Sequence, residues 1–154
     1  MFKNKIFYES NQFDLNLVKN KRIVFTNGCF DIIHPGHLSY LYQARKEGDV
    51  LIVGVNSDSS VKINKGDSRP INNIFQRTEV LSYLNFIDFI IVFNEETPIN
   101  LIKFINPSVL IKGSDYSVNE IVGADHVRKM GGYVKTLNFI DGYSSSQIIK
   151  KINK

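Results

Sequence analysis

Two of the chain's three histidines fall within four residues, in His34-Pro35-Gly36-His37. Ahead of them stand the β-branched and aromatic run Arg22-Ile23-Val24-Phe25 and then Thr26-Asn27-Gly28-Cys29-Phe30-Asp31. Behind them, residues 36–47 place Leu38, Leu41, Tyr42 and Arg45 at helical spacing. A strand thus feeds a short polar turn that opens a helix. The first turn of a helix presents unpaired backbone N–H groups and about half a positive charge, which suits a phosphate. Gly36 permits close approach of the anion, and His34 and His37, one turn apart on the same side, can donate hydrogen bonds to it. Two other readings stay open: a polar surface turn, and a metal site of Asp31, His34 and His37 that would lack the usual distant ligands. The phosphate cradle is favoured, with no protein-held metal.

The elements that must position this turn can be read from the same rows. Short apolar runs at 22–26, 50–55, 89–93, 109–111 and 133–139 lack apolar/polar alternation, as strands covered on both faces do. Ile74, Leu81 and Leu84 mark a second amphipathic helix, and Thr97-Pro98 reads as an N-cap with proline at the first helical position, before Leu101, Ile102 and Ile105. Ser144 and Gln147 are spaced as a capping box ahead of Ile148, Ile149 and Ile152, while 118–130 is a weaker helix interrupted by Gly123. Alternating strands and helices predict an α/β fold, a doubly wound parallel five-stranded sheet with helices on both faces. One domain over 1–154 is expected, with 1–20 as an N-terminal extension. Ligands of such sheets bind beyond the carboxyl ends of the strands, here just after Thr26, Val55, Phe93, Ile111 and Phe139.

Composition narrows the partners. A net charge of +4 and a pI near 9.1 suit an anion, but no block of five or six basic residues exists to make a nucleic-acid arm. The single cysteine, Cys29, excludes an internal disulfide framework and points to the cytoplasm. Residues 1–20 carry no signal-peptide core, and no apolar run approaches the roughly 20 residues of a membrane helix, so no membrane partner is expected.

The stretch from Thr26 to Asp31 followed by His34-Pro35-Gly36-His37 resembles the H-x-G-H nucleotidyltransferases of the cytidylyltransferase-like superfamily. The similarity continues through Val55-Asn56-Ser57-Asp58, Lys65-Gly66-Asp67-Ser68-Arg69-Pro70-Ile71-Asn72, Gln76-Arg77 and Phe93-Asn94-Glu95-Glu96-Thr97-Pro98. It ends in Lys112-Gly113-Ser114-Asp115-Tyr116 and Ser144-Ser145-Ser146-Gln147-Ile148-Ile149. Within the superfamily the pattern is most similar to the D-glycero-β-D-manno-heptose 1-phosphate adenylyltransferases. Lys-Gly-Asp-Ser-Arg-Pro and Asn-Gly-Cys-Phe-Asp favour that branch over the glycerol-3-phosphate cytidylyltransferases. The departure lies at Ser144-Ser145-Ser146, where that branch commonly has Ser-Thr-Thr; the hydroxyls are kept.

The resemblance implies attack of a sugar-phosphate oxygen on the α-phosphorus of ATP, with Mg²⁺ arriving on the nucleotide, pyrophosphate leaving, and a homodimer as the assembly. Its catalytic residues here are His34, His37, Lys65 and Arg77. Its nucleotide-binding positions are Thr26, Asn27, Gly28, Cys29, Phe30, Asp31, His34, Gly36 and His37, then Arg69, Arg77, Lys112, Gly113 and Asp115, and finally Ser144, Ser145 and Ser146. Each has a plainer alternative. Lys65 and Arg69 can be solvated loop charges; Arg77, on the apolar stripe of its helix, needs a partner such as Glu79 or Asp58; Lys112 to Asp115 can be an ordinary strand-to-loop turn; Ser144 can simply cap a helix. Cys29 reads as small packing near the site, and His126 as a surface histidine. The competing functions are a cytidylyltransferase acting on glycerol 3-phosphate or another small phosphate ester, and a non-catalytic nucleotide sensor.

Overall fold

The computed structural model describes residues 5–138, 140 and 142–153. In chain order the strands are β1 (Ile6–Phe7), β2 (Ile23–Gly28), β3 (Val50–Asn56), β4 (Phe89–Phe93), β5 (Val109–Gly113) and β6 (Tyr133–Leu137). They form one sheet in the order β1-β4-β3-β2-β5-β6, every neighbouring pair parallel. The α-helices are α1 (Pro35–Arg45), α2 (Asp58–Lys65), α3 (Ile74–Ser82), α4 (Ile99–Ile105), α5 (Ala124–Lys129) and α6 (Ser145–Ile152).

The continuous apolar strands are explained by two cores, one on each face. Val24, Leu51, Val53, Val55 and Ile90 pack with Tyr40, Leu41 and Ala44 of α1 and Leu81 of α3. Phe25, Ile52, Ile91 and Leu110 pack with Leu101, Ile102 and Ile105 of α4 and with Ala124 and Val127 of α5. Successive residues of one strand feed opposite cores, so neither alternate position is polar.

The expected count of five strands is corrected to six. β1 comes from the N-terminal segment and extends the sheet at β4, Ile6 opposite Ile90 and Phe7 opposite Ile91. Two residues are too few to show a period. The segment is anchored by packing: Phe13, 4% exposed, meets Phe7 and Phe89 edge-on, each with ring centroids 5.1 Å away. Lys5 Nζ also donates to the carbonyls of Leu84 and Ile87 just past α3.

Two helix boundaries also differ from expectation. α4 starts one residue later, with Pro98 rather than Thr97 at the N-cap and no side-chain cap bond, although Leu101, Ile102 and Ile105 are its buried side. α5 begins only after Gly123, whose φ of 86° lies in the left-handed region, so 118–123 is not helical. The reciprocal capping box forms at Asn73 and Gln76 on α3, while Ser144 makes one half of its box, accepting from the Gln147 N–H at 3.1 Å. The last expected strand ends at Leu137; Phe139 lies outside the described residues.

Candidate active site

A cavity of about 490 Å³ opens beyond the carboxyl ends of β2, β3 and β5. The turn between β2 and α1 forms its floor: Asn27, Gly28, Cys29, Phe30, Asp31 and His37 all line it. His34 is the N-cap of α1; its Nδ1 accepts from the His37 N–H at 3.4 Å, and the two imidazoles stack with centroids 3.8 Å apart at 26°. His34 is 7% exposed and backs the His37 ring. Gly36 serves this stack. A Cβ there would meet His34 Cε1 and Nδ1 at 3.0 Å, so its small size makes room for an imidazole. Phe30, left-handed at φ 49°, sets its ring 5.3 Å from His37. A bulky residue in that conformation is strained, and the surrounding packing holds it there.

Burial, then the neighbouring His34 and the Lys65 ammonium, push His37 down to about 4. Burial alone lowers His34. Both rings are therefore neutral at pH 7, each with one N–H to donate. His37 Nδ1 is buried and has no protein partner.

Asp31 is the hub of the opposite wall. Its carboxylate accepts from Arg69 Nε at 2.7 Å and from the N–H groups of Ile71 and Asn72 at 2.8–2.9 Å. Burial alone would raise its pKa; the amides of Asn72 and Ile71 and the Arg69 guanidinium outweigh burial and hold it below the usual carboxylate range. Asp31 thus fixes the 69–72 loop rather than waiting for a ligand. Arg69, steered by that bond, lines the cavity with its Nη2 buried and unpartnered, a donor left for an anion. Lys65, exposed at the end of α2, lines the same wall.

Arg77 and Thr26, expected as ligand contacts, do not line the cavity. Arg77 is 1% exposed and spends its guanidinium on the protein: Nη1 on the carbonyls of Cys29 and Asn56 at 2.6 and 2.7 Å, Nε on that of Asn72 at 3.1 Å, and Nη2 on Asp58 at 2.7 Å. It ties β2, β3 and the loop before α3 together behind the cavity, and the expectation that it reaches the nucleotide is corrected. Thr26 is fully buried, sharing a 2.6 Å hydrogen bond with Tyr40, because its side chain points to the α1 face.

At the end of β5, Lys112, Gly113 and Asp115 line the cavity as expected. Burial brings the Lys112 ammonium down to about 8, against Cys29 and Asp115; it donates to the Asn27 carbonyl at 3.3 Å and lies 5.2 Å from the Tyr116 ring centroid. Ser145 reaches the cavity and donates to the Ile32 carbonyl at 2.9 Å, while Ser144 caps α6 and Ser146 is exposed. Further wall residues are Tyr40, Asn56, Asn64, Glu96, Thr97 and Tyr116. Glu96 and Thr97 follow the end of β4, a signal that the strand-end rule supplies without naming side chains. Cys29 is half-buried in the wall, and His126 is half-buried rather than fully on the surface, with a buried, unpartnered Nε2.

Comparisons with known proteins agree with this geometry. Bifunctional protein HldE of Marinomonas sp. (strain MWYL1) is 54% identical over 142 residues, 92% of this chain and 30% of that protein. Bifunctional protein HldE of Campylobacter jejuni subsp. doylei is 50% identical over 151 residues, 98% of this chain and 32% of that protein. The chain therefore spans about a third of the length of these relatives. Among solved structures, a lipopolysaccharide core biosynthesis protein from Thermoplasma volcanium GSS1 superposes with a TM-score of 0.65 at 28% identity, covering 81% of this chain and all of the other. A pantoate–β-alanine ligase from Francisella tularensis shares the fold at 16% identity, TM-score 0.63, over 97% of this chain and 77% of its own. The family model for cytidylyltransferase-like proteins matches residues 25–151, from β2 into α6, and with the stacked imidazoles at the head of α1 it makes this chain a member of the cytidylyltransferase-like family, a nucleotidyltransferase.

Proposed function

We propose that the chain transfers AMP from ATP to D-glycero-β-D-manno-heptose 1-phosphate, releasing pyrophosphate and forming an ADP-heptose. The observation that carries this reading is the convergence of His37, Lys65 and Arg69 on one cavity at the N-terminus of α1, with an Arg69 nitrogen left unpaired. The Lys65 to Pro70 block and the similarity to HldE proteins support the sugar.

A phosphate monoester has a second pKa of about 6, so the attacking oxygen is already largely dianionic and needs no general base. What remains is in-line positioning and neutralisation of charge on the α-phosphoryl group and leaving pyrophosphate. His37, oriented by His34, donates to the transferring phosphate; Lys65 and Arg69 bind the phosphates; Lys112, Gly113 and Asp115 hold the nucleoside, and Ser145 the phosphate end nearest α6. Mg²⁺ supplies further charge neutralisation when it enters on ATP. Asp31 is engaged by Arg69 and two amides, and the other carboxylates lining the cavity are Glu96, Asp115 and Glu120. The family resemblance supports a homodimer, and the single cysteine supports a reducing compartment such as the cytoplasm.

The test is pyrophosphate release by the purified protein with Mg²⁺, crossing ATP and CTP with heptose 1-phosphate and glycerol 3-phosphate. Release with ATP and heptose 1-phosphate alone is expected. Release with CTP and glycerol 3-phosphate would replace both substrates, and silence in all four mixtures would favour a nucleotide sensor.

A further inference from the structure

We propose that Asn27, a position the family resemblance gives to the nucleotide, instead determines acceptor specificity, its amide oxygen accepting a hydrogen bond from a hydroxyl of the acceptor phosphate ester. This inference rests on the sugar-phosphate reading above and adds to it the residue that recognises the polyol.

Asn27 lines the cavity, and its Oδ1 is buried with no hydrogen-bond partner. A buried acceptor without a partner is costly unless a ligand or water supplies the donor. A phosphate oxygen cannot do so, since it too is an acceptor; a hydroxyl can. His37, Lys65 and Arg69 belong to the α1 and α2 side, while Lys112 at the end of β5 donates to the Asn27 backbone carbonyl and not to its side chain. Asn27 faces the other way. Along β2, Val24 feeds the α1 core and Phe25 the α4 core, Thr26 bonds Tyr40 of α1, and Asn27 therefore shares the Phe25 face. A Cβ on Gly54 of β3 would lie 3.2 Å from the Asn27 Cβ, 2.8 Å from Phe25 Cζ and 3.3 Å from Leu101 Cδ2, which places the Asn27 side chain over β3 below the head of α4.

That placement separates the two substrates. From β2 the chain winds outward through β3 to β4, then returns to place β5 on the other side of β2. The switch point lies between β2 and β5, where doubly wound sheets bind nucleotides and where Lys112 and Gly113 stand. Asn27 leans away from it, toward the wall formed by Glu96, whose carboxylate accepts hydrogen bonds, and Thr97, whose hydroxyl both donates and accepts them. A site built to bond a substrate hydroxyl discriminates strongly against analogues that lack it.

Steady-state pyrophosphate release tests this with ATP against heptose 1-phosphate and, separately, glycerol 3-phosphate. Asn27→Leu keeps the volume and removes the amide; it is expected to raise the acceptor KM about tenfold and leave the ATP KM within twofold. Asn27→Asp keeps an oxygen in place but adds a negative charge beside two polyanions, and is expected to raise both KM values together. A rise in the ATP KM instead of the acceptor KM overturns the inference, as does an unchanged acceptor KM in Asn27→Leu. So does an Asn27→Leu enzyme whose ATP and acceptor KM values rise together. Thermal melting is followed alongside, and if Asn27→Leu does not fold, Asn27→Ser withdraws the oxygen in its place. A wild type that uses only glycerol 3-phosphate overturns the heptose reading while the Asn27 effect is still read on the glycerol hydroxyls. A wild type inert toward both overturns both.

Discussion

His37 sits in a place that keeps it neutral and leaves it little else to bond. With its value near 4 in the folded protein and about 6.5 in the unfolded chain, the unfolded state takes up the proton first as pH falls. The stability that comes from keeping this ring neutral is therefore present above pH 6.5 and is lost between 6.5 and about 4. Melting temperatures across that window should fall for wild type and fall less for His37→Gln; equal slopes would show that the ring does not titrate with folding. A triphosphate beside the ring favours the charged form, so ATP binding near pH 6 should take up a proton, visible as buffer-dependent heat in calorimetry. Removing such a preorganised donor, as in His37→Ala, is expected to cut turnover about 10² to 10³-fold with the fold intact. Wild-type turnover in a folded His37→Ala protein would remove the histidine from the chemistry. The pair itself was legible in the sequence because it is local; that Gly36 serves the His34 ring was not, since the imidazole's direction depends on capping α1.

Arg77 and the N-terminal strand show how elements override the local pattern. The sequence put a cation on the apolar stripe of α3 and left two destinations for it, nucleotide or protein. Only packing brings the Cys29, Asn56 and Asn72 carbonyls within 2.6–3.1 Å of one guanidinium. Arg77→Ala leaves those carbonyls without their donor and should lower unfolding free energy by about 3 kcal/mol, at roughly 1 kcal/mol each, as read by denaturant titration. A KM that rises while stability holds would return the residue to the ligand. Phe13→Ala, at the centre of the aromatic contacts that dock β1, is expected to cost about 3 to 5 kcal/mol. A loss below about 1 kcal/mol would mean that the segment is held by strand pairing alone.

Across the whole molecule, the doubly wound sheet collects residues as far apart in sequence as Asn27, Lys65, Lys112 and Ser145 around one cavity. The strand-end rule located that cavity before any side chain was placed, and five strands, both apolar faces and the polar turn that carries the two histidines could be read because each rests on local periodicity or spacing. β1 escaped because two residues carry no period. The division of labour among the charged residues escaped for a different reason. Arg69 and Arg77 are the same residue type, eight positions apart, both near carboxylates; one keeps a nitrogen unpartnered while every nitrogen of the other bonds the protein. By itself the sequence determined the parallel α/β architecture, the histidine cradle and the family, all encoded in runs of a few adjacent residues. Only the tertiary structure decided which polar groups are spent on the protein and which are left for a ligand, because hydrogen-bond partners lie tens of residues apart and exist only once the sheet has closed over them.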